Sequence, residues 1–193
     1  MVSKVKLNAD EILRAEFDYI AQTAFQANED RARVASFYFV SVGSLVAAIL
    51  GTQFAEDALR GVSLAFGLLF LVLTALGGLT IAQLARLRAA WHESAEAMNR
   101  LKDFYIQQYP EIEPAFKWRM QSIPPTDKLY SIANLMAVEV SLLGALTSAA
   151  AIYFLLNSLG DVTWWGWLLT AVSLLLGYLG HWTWYKHLLV DTQ

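Results

Sequence analysis

Four long apolar segments, at about residues 34–54, 61–85, 131–156 and 163–188, leave this chain few ways to fold. Each offers the ~20 predominantly apolar residues that ~30 Å of hydrocarbon requires. In lipid an isolated segment can satisfy its backbone only as a helix, because an open strand edge finds no water to bond. The expected fold class is therefore all-α: a polytopic four-span transmembrane helical bundle with cytoplasmic helical extensions. Of the 193 residues, 56% are hydrophobic, which suits one membrane-embedded unit rather than a soluble domain. In the fourth segment Trp164, Trp165 and Trp167 mark one end and Trp182, Trp184 and Tyr185 the other. About 17 residues at ~1.5 Å each separate these aromatic clusters by ~26 Å, close to the thickness of a membrane core between interfacial belts.

The positive charges set an orientation. Of the 14 lysines and arginines, only Arg60 falls in a loop between segments one and two; the rest lie before the first, between the second and third, or at the end of the fourth. By the positive-inside bias both termini and the central segment are cytoplasmic. The organisation is then residues 1–33 as a cytoplasmic helix leading into the first span, 34–85 as hairpin one, and 86–130 as a cytoplasmic helix with a proline-bounded connector. Residues 131–188 form hairpin two and 189–193 a cytoplasmic tail. The outer loops, near Gln53 to Arg60 and Asn157 to Val162, are too short for an external domain. The N-terminus runs from lysines into acidic residues rather than an apolar core, which argues against a cleaved signal peptide.

The cytoplasmic parts carry helical patterns. Asn8 and Glu11 have capping-box spacing, and Leu13, Phe17, Ile20 and Ala24 follow at helical intervals with no glycine before Gly43. A helix from Asn8 can thus run unbroken into the first span. After the second span, Leu84, Leu87, Trp91, Ser94, Met98, Leu101 and Tyr105 alternate by three and four, the spacing of a heptad seam. Leu84, Leu87, Trp91, Met98, Leu101 and Tyr105 are the candidate interaction residues, packing either on the N-terminal helix of the same chain or on another protein. Pro110 ends that helix, and Glu113-Pro114 predicts a short helix over about 115–122 whose Phe116, Trp118 and Met120 alternate with Lys117 and Arg119. Such a mixture fits either the headgroup level of a membrane or a plain connector. Pro124-Pro125 closes it.

Within the spans the exceptional residue is Glu139. An ionised carboxylate there costs ~2.5 kcal/mol or more on insertion scales, so it must be protonated, paired or facing water. Glu139 and His181 form the candidate intramembrane polar site. Their side chains would lie at similar depth and could bond to each other, or Glu139 carboxyls from several copies could ring an aqueous path, or serve a proton-coupled carrier. Small residues at Gly144 and Ser148, and at Ala145 and Ala149, permit close helix packing on the third span.

Several chemistries lack support. With no cysteine there is no thiol nucleophile or thiolate metal site. His92 and Glu96 share a helical face but are two ligands, short of a metal site. No phosphate loop, nucleophile elbow or dinucleotide fingerprint occurs. The expectation is no enzyme, no cofactor and no metal. A net charge of -3 without a basic field excludes nucleic acid as an expected partner. The expected partners are the lipid bilayer, further copies of the chain and, in the scaffold alternative, a soluble cytoplasmic protein.

The segments VASFYFVSVGSLVAAILG and GVSLAFGLLFLVLTALGG, followed by RLRAAWHESAEAMNRLKDFYI, resemble the SLATT group of prokaryotic membrane proteins over about the first half of the chain. That resemblance implies an effector acting on the bacterial inner membrane, by disruption or pore formation, in a defence or stress system governed by nucleotide-sensing neighbours. The resulting functional expectation is an oligomeric effector or channel-like protein whose cytoplasmic helices regulate how the spans pack. The alternative is a non-conducting scaffold that anchors a soluble partner.

Overall fold

The computed structural model describes residues 8–51 and 59–190 and is helical throughout, with no strand among the described residues. Helix α1 spans Ala9–Gly51 and α2 spans Leu59–Gln108. Helix α3 spans Ile132–Leu159 and α4 spans Trp164–Val190. The unbroken first helix read from the sequence is therefore present. The second span and the heptad seam, read as separate elements, are one 50-residue helix. No glycine or proline interrupts Thr80 to Gln108, so nothing in the sequence could have stopped it. At the start of α1 the Asn8 side chain donates to the Glu11 carboxylate at 3.5 Å, rather than capping a backbone amide. Lys4, Lys6 and most of the loop expected near Gln53 lie outside the described residues.

Helices α1, α2 and α3 are long and apolar enough to cross a membrane. Helix α4 is long enough but not sufficiently apolar by the same measure. Its sequence explains the shortfall: tryptophans, tyrosines, glycines and two histidines occupy places that leucine or valine fills in the other three.

Two compact units divide the chain. The first, Met1–Asp30 with Leu87–Thr126, is polar in composition. Here Ile20, Ala24 and Ala27 of α1 are buried, as are Ala89 and Ile106 of α2. Residues Asp10, Leu13, Arg14 and Phe17 of α1 share a cleft with Leu101, Lys102 and Tyr105 of α2. The short helix expected over 115–122 is instead two separate 3-10 turns, Pro110–Ala115 and Met120–Ser122. Arg119 lies between them and is held from two sides. Its Nε donates to Asp103 Oδ1 at 3.1 Å and one terminal nitrogen to Glu113 Oε1 at 2.6 Å. Those bonds fix an extended backbone at Arg119, where a continuous helix would point the side chain elsewhere.

The second unit, Arg31–Arg86 with Asp127–Gln193, is the apolar one. Its core gathers Ala35, Tyr38, Phe70, Leu73, Ile81, Leu84, Val140, Ala151, Tyr185 and Leu189 from all four helices. Phe70 and Phe154 stack with ring centroids 5.7 Å apart. Ser131 caps α3, its hydroxyl accepting the Asn134 amide at 3.3 Å. The outer surface is apolar too: Phe37, Val40, Leu68, Val72, Leu79, Leu142, Leu146, Trp165, Leu175 and Leu179 are all exposed. A soluble monomer rarely presents a continuous surface of this kind, because each exposed leucine forfeits about 1.5–3 kcal/mol of transfer free energy. Such a surface is suited to hydrocarbon.

Candidate functional site

Inside the apolar unit, one level is polar and every helix contributes to it. Tyr38 comes from α1, Thr74 from α2, Thr147 from α3 and His181 from α4. Thr147 Oγ1 donates to the Gly144 carbonyl at 2.9 Å and accepts from Thr74 Oγ1 at 3.1 Å, while Tyr38 Oη lies 3.5 Å away. His181 Nδ1 is 2.7 Å from the Gly177 carbonyl oxygen of its own helix, and Nε2 is 3.2 Å from the Thr74 carbonyl oxygen of α2. A neutral imidazole has a single N–H, so only one of the two contacts is then a hydrogen bond. Tyr38 and Thr147 are each 1% exposed, and His181 is 9% exposed. In a low-dielectric interior such groups must find one another, since an unmet hydroxyl or amide costs ~1–3 kcal/mol.

Glycines make room for this layer. A Cβ at Gly144 would stand 2.8 Å from His181 Cε1 and Nε2. One at Gly77 would stand 2.7 Å from Tyr38 Oη and 3.1 Å from His181 Nε2. One at Gly177 would meet Ser148 and Ala145 at 3.0 and 3.1 Å. The small-residue faces expected on α3 are thus used against α4 of the same chain. Gly144, Ala145 and Ala149 are buried, and Ser148 Oγ lies 2.6 Å from Ser173 Oγ.

Glu139 and His181 do not satisfy each other. The imidazole lies between the Gly177 and Thr74 carbonyl oxygens, and Glu139 points outward, exposed, with no hydrogen bond or ion pair among the described residues. Glu139 belongs instead to a stripe on the outer face of α3. Ile132, Leu135, Leu142 and Leu146, each at least 45% exposed, flank it at alternating intervals of three and four. That is the spacing of a helix–helix seam with one carboxylate in it. The sequence distinguished Glu139 by its charge, but without the burial of Ala137 and Val140 its direction was undetermined.

In the polar unit the seam is partly covered. Ser94 is buried, whereas Leu87, Trp91, Met98, Leu101 and Tyr105 are half-buried; Leu84 is buried in the apolar unit. Sequence reasoning missed Arg88, which is 5% exposed. Its Nε donates to the Thr126 carbonyl and a terminal nitrogen to the Pro125 carbonyl, both at 3.1 Å, and its guanidinium lies 4.7 Å over the Trp91 ring. On the surface, the Glu113 carboxylate beside Arg119 raises the pKa of its guanidinium above the ordinary value. His92 Nδ1 lies 3.3 Å from Glu96 Oε1, and Glu96 also meets Arg100 at 3.7 Å. Among the described residues no group of three histidines and carboxylates could hold a metal ion.

Comparison of the chain with protein-family models, with curated proteins and with solved structures finds no match.

Proposed function

We propose that this chain crosses a bacterial inner membrane four times, self-associates through the outer face of α3, and works as a regulated effector or channel-like assembly. The observation that carries the reading is Glu139 in its leucine stripe. Leucines alone would be an ordinary lipid-facing surface. A carboxylate about 10 Å from the start of the helix, at ~1.5 Å per residue, is not, because lipid offers it neither a donor nor water. A second copy presenting the same stripe covers it, and several copies would bring their carboxyls together around an aqueous path.

Other features support parts of the reading. The exposed face of α4 carries Leu168, Leu169, Leu175 and Leu179 between Trp164, Trp165 and Trp167 at one end and Trp184 at the other. This is the pattern of a span anchored by interfacial aromatics, and tryptophan depresses a hydropathy average without opposing insertion. The clustering of lysine and arginine favours cytoplasmic termini. The resemblance of the first hairpin to the SLATT group favours an effector role. Helices α1 and α2 contribute residues to both compact units, which supports regulation of span packing from the cytoplasmic part.

The test joins assembly with conduction. Leu142→Cys should form disulfide-linked dimers in oxidised membranes, and Glu139→Gln and Glu139→Ala should abolish ion leakage from vesicles and toxicity on overexpression. Leakage unchanged in both Glu139 variants, with no Leu142→Cys dimer, refutes the reading. The half-covered Trp91, Met98 and Leu101 favour a second reading as a scaffold for a soluble partner. In that case Leu87→Glu and Met98→Glu release the partner, and Glu139 variants have no effect.

A further inference from the structure

We propose that the polar unit contains a binding site for a small aromatic acid, a flat apolar body bearing one carboxylate, between α2 and the segment that follows it. A cavity of about 390 Å³ is lined on one side by Trp91, Met98, Asn99 and Lys102 of α2. Trp118 and Ile123 of the returning segment line the other. Its size falls in the range of small-molecule sites, which are mostly apolar with a few converging polar groups.

The walls are held in place from both ends. Arg88 bonds the carbonyls of Pro125 and Thr126, and Arg119 bonds Asp103, so the stretch carrying Ile123 is pinned to α2 at both ends, and Trp118 adjoins the Arg119 anchor. Trp91 is oriented by the Arg88 guanidinium above it. The cavity therefore does not depend on a ligand to form it, which lowers the ordering cost of binding.

The polar groups specify the sign of the ligand. Lys102 Nζ donates to Asn99 Oδ1 at 3.2 Å and to the Trp118 carbonyl at 3.3 Å, which leaves one of its three protons unused. No carboxylate lies within ion-pairing distance of it among the described residues; the neighbouring Asp103 is engaged by Arg119. Asn99 is 3% exposed, and its amide nitrogen donates to no group among the described residues. An ammonium and an amide N–H2 beside two indoles and a methionine suit an anion on a flat hydrocarbon. A neutral amphiphile would leave the cation unmet, and a cationic one would be repelled. This inference stands whether or not the spans conduct.

The probe is 2-naphthoate, titrated calorimetrically into the full chain in lipid nanodiscs, with neutral 2-naphthamide as comparison. Saturable binding of 2-naphthoate is expected, weakened at least tenfold by Lys102→Met and abolished by Ala95→Trp, which fills the cavity. The exposed Lys128→Met should leave it unchanged, and 2-naphthamide should bind wild type and Lys102→Met alike. Absence of saturable binding, or equal affinities for wild type, Lys102→Met and Ala95→Trp, overturns the proposal, since lipid partitioning alone would give that result. If Ala95→Trp does not fold, reductive methylation with carbon-13 supplies a second readout. The Lys102 resonance, assigned through Lys102→Met, should move on adding 2-naphthoate while that of Lys128 stays; equal movement of both overturns the site.

Discussion

Gly144→Ala adds a single methyl group, and its effect can be worked out from the surroundings of that position. The new Cβ would lie 2.8 Å from His181 Cε1 and Nε2 and 3.1 Å from Cδ2, where carbon atoms in contact normally sit ~3.5–4.0 Å apart. The ring is held from two sides. Its Nδ1 is tied to Gly177 at 2.7 Å, and on the α2 side it approaches Thr74 and the backbone of Gly77. Overpacking of this sort costs ~1–3 kcal/mol, which is the expected loss. Gly180→Ala is the internal control, because a Cβ there meets nothing within 4 Å and should hold stability or raise it by up to ~1 kcal/mol through helix propensity. Reversible unfolding in mixed micelles, followed by tryptophan fluorescence, measures both. His181→Ala should remove the obstacle, so that adding Gly144→Ala to it costs little more. Equal stability of Gly144→Ala and Gly180→Ala, or strict additivity with His181→Ala, refutes the packing described around the imidazole.

Removing the Arg88 guanidinium leaves two carbonyls without their donor, so Arg88→Met should cost ~2–4 kcal/mol and expose the 119–126 segment to protease. Arg88→Lys should recover only part of this, as a point charge cannot serve two acceptors in the plane of a fork. Arg119→Ala should leave α2 intact by circular dichroism yet accelerate cleavage between Glu113 and Pro124, since it releases Asp103 and Glu113 together. Thr147→Val should lose the bonds to Gly144 and Thr74 and cost ~1–3 kcal/mol in the same unfolding assay, more than Tyr38→Phe, whose 3.5 Å contact is marginal. Single cysteines answer the topology: Ser158→Cys should react with an impermeant maleimide from outside intact cells, and the exposed Gln121→Cys only after permeabilisation.

The helices were legible because apolar length and the lack of breakers act locally. Ile132 to Leu159 needed only Ser131 as a cap and a run of lipid-compatible residues, and the two ends matched the expected span to within a few positions. What failed were features decided by neighbours distant in sequence. The segment after Pro110 had helical spacing on paper, but two carboxylates, one 16 residues away, pull Arg119 into an extended conformation. The candidate polar site divided for a similar reason. His181 found carbonyls on α4 and α2, and only the handedness of packing on α3 decided that Glu139 would face outward. Arg88 resembled one more positive charge for orienting the chain, and nothing near it in sequence announced that it would hold down Pro125 and Thr126.

His181 is where three helices of the apolar unit meet around one side chain, bonded within α4, facing an oxygen of α2 and pressed against the bare backbone of α3. A joint of this kind tolerates tilting but resists sliding. Moving α4 along its neighbours by one turn would take the ring ~5.4 Å away from both its glycine hollow and the Thr74 oxygen. Small changes of crossing angle leave it seated. Any gating in this bundle would therefore proceed by helices splaying like scissor blades about a fixed fulcrum, with the largest displacement at their ends and the least at the imidazole.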